Sequence, residues 1–123
     1  MSVNDAMALL GVNDVVALKN YLVHFFLGDA LKGKSEIDGA IAEYREALRL
    51  NPNSNWAHFA LGVALGKKGD IDGEIAEYRE ALRLNPNNAS AHYLLGTALQ
   101  ARTDLRGALQ EYRAAYMLDP KQG

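Results

Sequence analysis

The segment from His58 to Asn87, HFALGVALGKKGDIDGEIAEYREALRLNPN, decides the fold, because both of its halves recur along the chain at a fixed spacing. Its first eight residues, HFALGVAL, return as HFFLGDAL 34 residues earlier and as HYLLGTAL 34 residues later. Its second half returns as IDGAIAEYREALRLNPN from Ile37 and, more loosely, as LRGALQEYRAAYMLDPK from Leu105. A fixed period of this size indicates stacked repeats, because no single unit can bury its apolar face alone.

Each repeat reads as two antiparallel helices joined by a short turn. In the first of them the apolar and small residues fall at i, i+3, i+4 and i+7, and Gly62 keeps the helix thin where a neighbour approaches closely. Lys67-Lys68-Gly69 closes this helix with cations and a glycine that can adopt positive φ. Asp70 is placed to cap the second helix, and Ser54 or Asn88 to cap the helix that follows. No strand pattern competes, so the sequence predicts an all-α chain.

Composition narrows the class of protein. The 123 residues are enough for one domain, and 13 basic against 15 acidic residues give no electrostatic case for nucleic acid or an anionic membrane surface. The absence of cysteine excludes disulfides, thiolate metal sites and cysteine nucleophiles. The N-terminal residues lack the basic region of a secretory signal, and the most apolar stretch, Val15 to Leu31, is too polar to span a bilayer. We therefore expect a soluble, cytoplasmic protein without membrane insertion.

The repeat resembles the tetratricopeptide repeat, a 34-residue helix–turn–helix unit. The resemblance rests on a Leu-Gly pair in each first helix, a Tyr–Ala ladder in each second helix and a closing Pro. These are Leu27-Gly28, Leu61-Gly62 and Leu95-Gly96, then Tyr44-Ala47, Tyr78-Ala81 and Tyr112-Ala115, then Pro52, Pro86 and Pro120. The resemblance implies a right-handed superhelical α-solenoid of three units, residues 21–54, 55–88 and 89–122.

Residues 1–20 precede the first unit. Val3, Ala6, Met7 and Leu10 have the spacing of a short helix, so this segment is expected to be an N-terminal capping helix or a degenerate half-repeat. Val15 and the apolar residues after it extend the first helix of the first unit back toward Asp14, a candidate cap.

A second stripe on the first helices varies between units while the packing stripe is retained. In the tetratricopeptide family the first helices line the concave surface that holds ligands, so the resemblance places the varied stripe in the groove. The residues expected to line a peptide-binding groove are Leu22, Phe25, Asp29, Trp56, Phe59, Val63, Tyr93 and Thr97. Aromatic anchors of this kind suit a helical or extended segment with bulky apolar residues. The alternative is that Phe25 and Phe59 pack between helices.

One ligand class of the family is argued against. Chaperone-binding members hold a C-terminal carboxylate with Lys, Asn and Arg side chains of the first helices. The corresponding positions here carry Phe25, Asp29, Ala60, Ser90 and Leu94. Because no cationic fork remains for a terminal carboxylate, we do not expect a chaperone tail to bind in that manner.

Other chemistry finds little support. His24, His58 and His92 lie one per repeat, in a row along the stack, so they cannot converge on a metal, and a partly buried histidine with one polar contact is the expected state. The charged residues of the second helices recur one repeat later, and we expect them to lie on a solvated convex face, with pairs such as Glu46–Arg49 at i, i+3: Glu43, Arg45, Glu46 and Arg49, then Glu77, Arg79, Glu80 and Arg83. No nucleophile turn, phosphate loop or carboxylate pair is present, so we expect neither an enzyme nor a cofactor.

The C-terminal end suggests a different role. The second helix of the third unit is expected to expose part of its stacking face, because no further helix follows to cover it. The exposed residues would be Leu105, Leu109, Tyr116 and Met117. Such a patch is usually covered by a partner or by a second copy. The sequence therefore predicts a scaffold that binds a protein or peptide partner in its groove, with self-association into a homo-oligomer through the terminal faces as the alternative.

Overall fold

A computed structural model describes Ser2, Asp5 and residues 15–121 of the chain. Residues 15–121 form helices and no strand, as the repeat pattern predicts. The helices are α1 (Val15–Gly33), α2 (Ile37–Leu50), α3 (Asn55–Lys68), α4 (Ile71–Leu84), α5 (Ala89–Ala101) and α6 (Leu105–Leu118). Each odd-numbered helix packs against the next, which gives three helix pairs, and consecutive pairs stack through α2 on α3 and α4 on α5.

Within a pair, a glycine of the first helix lies against a tyrosine ring of the second. A Cβ atom placed on Gly62 would lie only 2.6 Å from Cε1 of Tyr78, and the equivalent glycines of the other pairs meet their tyrosines at 2.7 Å. Real Cβ atoms do not approach this closely, so the glycine of each Leu-Gly pair is needed to leave room for the tyrosine ring. The predicted reason for Gly62 is confirmed.

Between pairs, small residues let the helices approach. Ala57, Ala60, Leu61 and Ala64 lie on one face of α3 and are all buried. Leu61 joins Ile41 and Tyr44 of α2 in one apolar cluster, and Leu95 of α5 joins Ile75 and Tyr78 of α4 in the equivalent cluster one repeat later. The two stacking interfaces are therefore built alike.

The predicted caps are confirmed. Ser54, Asp70 and Asn88 each accept a hydrogen bond from the backbone N–H three residues on, at 3.0–3.1 Å. Gly69 ends α3 in the left-handed region at φ 92°. Its equivalents in the other pairs, Ser35 and Thr103, also have positive φ, at 63° each, although neither is glycine.

At the N-terminal side, α1 begins at Val15 and is 19 residues long against 13 or 14 for the other helices, so the predicted extension is confirmed. The predicted capping helix carrying Val3, Ala6, Met7 and Leu10, and the candidate cap Asp14, lie outside the described residues. Ser2 and Asp5 exchange two hydrogen bonds, Ser2 N to Asp5 Oδ2 at 3.2 Å and Asp5 N to Ser2 Oγ at 3.1 Å, in the manner of a capping box.

Candidate functional site

The candidate groove is the face of α1, α3 and α5 that carries the eight predicted residues, which we call the groove stripe. Its members divide by exposure. Trp56 and Tyr93 are exposed, at 65% and 51%. The others are partly buried: Leu22, Phe25, Asp29, Phe59, Val63 and Thr97.

Three aromatic residues of the groove stripe, Phe25, Phe59 and Tyr93, each pair with a tyrosine of their own helix pair. Phe25 lies 5.9 Å from Tyr44 between ring centroids, and Phe59 lies 5.9 Å from Tyr78. Both phenylalanines also pack against the apolar clusters of the core. Both rings therefore pack largely between helices, as the alternative interpretation expected. Because they are only partly buried, one edge of each ring remains available to the candidate groove.

Tyr93 follows the same plan with a larger exposed fraction. Its ring lies 5.7 Å from that of Tyr112. Trp56, one turn before Phe59 on α3, has no ring partner among the described residues. Exposed aromatic side chains of this size are common anchors of binding energy at interfaces.

The tyrosine hydroxyls next to the groove each find a different acceptor. Tyr44 donates to Asp29 Oδ1, Tyr78 donates to Glu74 Oε2 at 3.0 Å, and Tyr112 donates to Gln100 Oε1 at 2.8 Å. These three acceptors lie at three different positions of the 34-residue repeat, so the repeat pattern of the sequence did not predict them. A fixed tyrosine therefore has its polar neighbour changed from one repeat to the next.

Burial and these acceptors determine the protonation of the tyrosine hydroxyls and of Glu74 beside the candidate groove. Burial raises the pKa of the Tyr44 and Tyr78 hydroxyls, and the neighbouring carboxylates Asp29 and Glu74 raise it further. Burial also raises the pKa of Glu74, and its hydrogen bond from Tyr78 opposes this only in part. The tyrosines therefore remain neutral donors at ordinary pH.

The remaining polar members of the groove are held by internal contacts. Thr97 Oγ1 donates to the Leu94 carbonyl oxygen at 2.7 Å. Lys32, at the end of the stripe on α1, places its Nζ 5.9 Å from the centre of the Tyr44 ring. The candidate groove therefore presents an apolar and aromatic surface with the Lys32 cation stacked on a tyrosine ring.

Outside the groove, a hydrogen bond joins the two helices of every pair. His24, His58 and His92 each bind, through Nδ1, a glutamate 19 residues later at 2.5–2.6 Å. The glutamates are Glu43, Glu77 and Glu111, which are partly buried. His24 has the one polar contact expected, whereas His58 and His92 each have a second, from Nε2 to the Pro52 or Pro86 carbonyl oxygen at 2.9–3.0 Å. The interpretation of Glu43 and Glu77 as solvated convex residues is wrong, because their carboxylates face the neighbouring helix. The constant 19-residue spacing was the signal available in the sequence.

The other repeated charges behave as predicted. Arg49 binds Glu46 and Arg83 binds Glu80 on the helix surface, both at 2.5 Å. Within the described residues, no group of three or more His, Asp or Glu side chains is arranged to hold a metal ion. No helix in the described part of the chain has the length and apolar character needed to cross a membrane.

The predicted self-association residues lie together on the outer face of α6, and all four are exposed. An open pocket of about 350 Å³ is lined by Tyr112, Arg113, Tyr116 and Met117. We call this surface the α6 face: Leu105, Arg106, Leu109, Arg113, Tyr116 and Met117.

Known proteins support this picture of the fold. The TPR repeat family matches residues 28–69 and 67–102. No curated protein matches the sequence. The first TPR of Spaghetti (RPAP3), bound to the HSP90 peptide SRMEEVD, is similar at a TM-score of 0.81 and 20% identity, over 84% of this chain and 82% of that one.

Two further solved structures are similar. The TPR2B domain of yeast Sti1, in complex with pHsp70, has a TM-score of 0.79 and 24% identity over 82% of this chain and 81% of that one. A point mutant of MamA has a TM-score of 0.76 and 28% identity over 81% of this chain and 73% of its own. At these identities the likeness to the chaperone-binding domains concerns the fold.

Proposed function

The chain belongs to the tetratricopeptide repeat family, and on that premise we propose that it is a non-enzymatic scaffold that binds a peptide segment of a partner protein in the groove of α1, α3 and α5. The observation that carries the proposal is the exposure of Trp56 and Tyr93 beside the half-buried Phe25 and Phe59. Large aromatic side chains left in water on a rigid frame are costly unless a partner covers them. A cytoplasmic location and the absence of a cofactor belong to the same proposal.

The chemistry of the ligand follows from the groove's charge. One of the similar structures is bound to the HSP90 peptide SRMEEVD, which is acidic, and another is a complex with pHsp70. Here the groove carries Asp29, with Glu74 of α4 beside it, and the cation Lys32 stacks on Tyr44. We therefore propose a ligand with bulky apolar residues and neutral or basic flanks, since an acidic C-terminal tail would meet carboxylates without a cationic fork.

The test uses the chain's single tryptophan. Peptides selected by the protein from a random-sequence display library are titrated against it while Trp56 emission is recorded. We expect a blue shift on binding, because a covering peptide removes water from the indole, and a loss of at least tenfold in affinity for Trp56→Ala or Tyr93→Ala.

The matched control is Leu109→Glu, an exposed apolar residue outside the groove. It should bind the selected peptides as the natural chain does. Equal binding by the groove variants and the natural chain would place the peptide elsewhere and defeat the proposal. Selection of mostly acidic peptides would contradict the proposed ligand chemistry.

A second candidate function is self-assembly through the α6 face, favoured by the joint exposure of Leu105, Leu109, Tyr116 and Met117. Four exposed apolar side chains on one helix form a patch of the kind that oligomer interfaces cover. If the chain assembles in this way, the double change Tyr116→Glu/Met117→Glu yields a smaller species in sedimentation velocity. An unchanged mass would count against it.

A further inference from the structure

An ion pair at the same position of the repeat closes each stacking interface of the chain. Lys68 at the end of α3 binds Asp38 at the start of α2, with Nζ and Oδ1 2.6 Å apart. Arg102, just after α5, binds Asp72 at the start of α4, with Nη2 and Oδ1 2.6 Å apart. The cation of one pair thus binds the acid of the pair before it, and both partners are spaced 34 residues from their equivalents.

The α6 face offers the same stacking surface, and no helix of the described part of the chain lies upon it. Leu109 is 49% exposed, whereas its equivalents Ile41 and Ile75 are 5% and 8% exposed beneath α3 and α5. Leu105 and Tyr116 are likewise exposed, while their equivalents in α2 and α4 are at least partly covered. A helix that packed on α6, as α3 packs on α2 and α5 packs on α4, would therefore bury apolar residues at the same positions of the repeat.

The α6 face also differs from the two earlier faces at its rim. Arg106 stands at the position of Asp38 and Asp72. In the part of the chain that the structure describes, no carboxylate pairs with Arg106. The sign of the rim charge is therefore reversed, and a helix that stacks here cannot repeat the cation of Lys68 or Arg102 without repulsion.

A second difference enlarges the apolar area. In the earlier pairs, Arg49 and Arg83 form surface ion pairs with Glu46 and Glu80. Their equivalents in α6 are Ala114 and Met117, so apolar atoms replace both charges. Met117 also lines the open, largely apolar pocket that it shares with Tyr112, Arg113 and Tyr116.

As the alternative to self-assembly through this face, we propose that the α6 face binds an amphipathic helix of a different protein in the position of a next first helix. This helix carries small and apolar residues at i, i+3, i+4 and i+7, as α3 does, and a bulky apolar residue that enters the pocket beside Met117. At or just after its last turn it carries a carboxylate that pairs with Arg106.

Charge and bulk disfavour a second copy stacked in register. The N-terminal face of α1 would bring Lys34, the equivalent of Lys68 and Arg102, against Arg106. It would also bring Val23 and Phe26 where α3 has the buried Ala57 and Ala60 that allow close approach. Like charge at the rim and larger side chains at the centre both oppose head-to-tail continuation.

The probe is a synthetic peptide that copies residues 88–102, the cap and length of α5, amidated at its C-terminus and held helical by a side-chain staple on its outer face. One form keeps the arginine of position 102, and the other has Arg102→Glu. Fluorescence anisotropy gives the dissociation constant of each form for the full chain. We expect the glutamate form to bind roughly fivefold tighter, since one exposed pair changes from repulsive to attractive.

The decisive experiment reverses the charge of Arg106 on the protein and repeats the measurement with both peptides. Arg106→Asp should invert the preference between the two peptides, and it should fold normally because an acidic residue suits the first turn of a helix. Leu109→Glu should weaken both peptides more than tenfold, whereas Trp56→Ala should leave both unchanged and so separate this site from the groove.

Three results would overturn the proposal: equal affinity of the two peptides for the natural chain, no inversion by Arg106→Asp, or no effect of Leu109→Glu. Sedimentation provides the remaining arm. A natural chain that forms a dimer abolished by Leu109→Glu would identify the occupant as a second copy and also refute the proposed partner. A monomer that binds the glutamate peptide supports it.

Discussion

At the scale of single residues, the turn inside each helix pair places one residue in the left-handed region, and its identity differs between pairs. Gly69 fills this position in the middle pair, whereas Ser35 and Thr103 adopt φ 63° in the others. A residue with a Cβ atom is strained there by about 1–2 kcal/mol, and a β-branched residue is among the least suited.

Thr103→Gly should therefore stabilise the protein by about 1 kcal/mol, with a smaller gain for Ser35→Gly. The gain is limited because glycine also loses more conformational freedom on folding, and because the Thr103 hydroxyl gives up its bond to the Arg102 carbonyl. Urea denaturation measures the change. The reverse substitution, Gly69→Thr, is the control and should destabilise. A loss of stability in Thr103→Gly would contradict the role of backbone strain.

The histidine of the middle pair makes stability depend on pH. Burial lowers the pKa of His58, but bonds to the Glu77 carboxylate and the Pro52 carbonyl, with the charges of Glu77 and Glu80, outweigh it, so the pKa of His58 is raised. Nδ1 lies 2.6 Å from Glu77 Oε2, and Nε2 donates to the Pro52 oxygen at 3.0 Å. The charged ring thus stabilises the folded state.

The sign follows from linkage. A pKa raised by folding contributes stability that is fully present below the unfolded value of about 6.5 and is lost as pH rises through the folded value. We expect the difference in unfolding free energy between the natural chain and His58→Gln to shrink from pH 5.5 to pH 8.5, with a value of about 1–2 kcal/mol at the acidic end. Denaturant midpoints at four pH values measure it. A difference that stays constant or grows with pH would refute the charged pair.

At the scale of elements, the contact of glycine with tyrosine fixes how closely the two helices of a pair approach. Gly62→Ala should destabilise by about 2 kcal/mol or more, because its Cβ would lie 2.6 Å from Tyr78, a ring that is fully buried and cannot withdraw. Gly33→Ala is the matched control. It lies at the end of α1 with nothing within 4 Å of an added Cβ, and better helix propensity should make it neutral or stabilising. Similar unfolding curves for the two variants would disprove the steric argument.

The elements were predictable from the sequence to the extent that they depend on local chemistry. The caps at Ser54, Asp70 and Asn88 and the closing Gly69 follow from residue types with a preferred place in any helix. The positive φ of Ser35 and Thr103 could not be read from their types. It is imposed by the turn that the repeat shares.

The candidate site was less predictable, because side-chain contacts between helices depend on how deeply each residue is buried, which residue spacing does not determine. The spacing and the family resemblance together predicted an aromatic row of Phe25, Phe59 and Tyr93 with Trp56 beside it. They did not distinguish the exposed ring of Tyr93 from the half-buried rings of Phe25 and Phe59. The acceptors of the tyrosine hydroxyls were also out of reach. Asp29, Glu74 and Gln100 occupy different positions of the repeat, and each reaches its hydroxyl by a separate geometry.

At the scale of the whole molecule, the repeats stack in a row, so the same side chain contributes differently to stability in the inner and the outer repeats. Leu27, Leu61 and Leu95 occupy one position of the repeat. Leu61 and Leu95 are 2% exposed between pairs, whereas Leu27, at the outer side of the first pair, is 44% exposed. In such arrays, stability is nearly the sum of each unit and its interfaces with its neighbours.

Truncation of these three leucines tests that description. Leu61→Ala and Leu95→Ala should each lower the unfolding free energy by about 3 kcal/mol, because each leaves a cavity at a stacking interface. Leu27→Ala should lower it by about 1 kcal/mol or less, since the same methyl groups are largely in water already. Chemical denaturation of all three variants provides an internal comparison at constant side-chain chemistry. A Leu27→Ala loss as large as that of Leu61→Ala would mean that a further element covers α1 in solution.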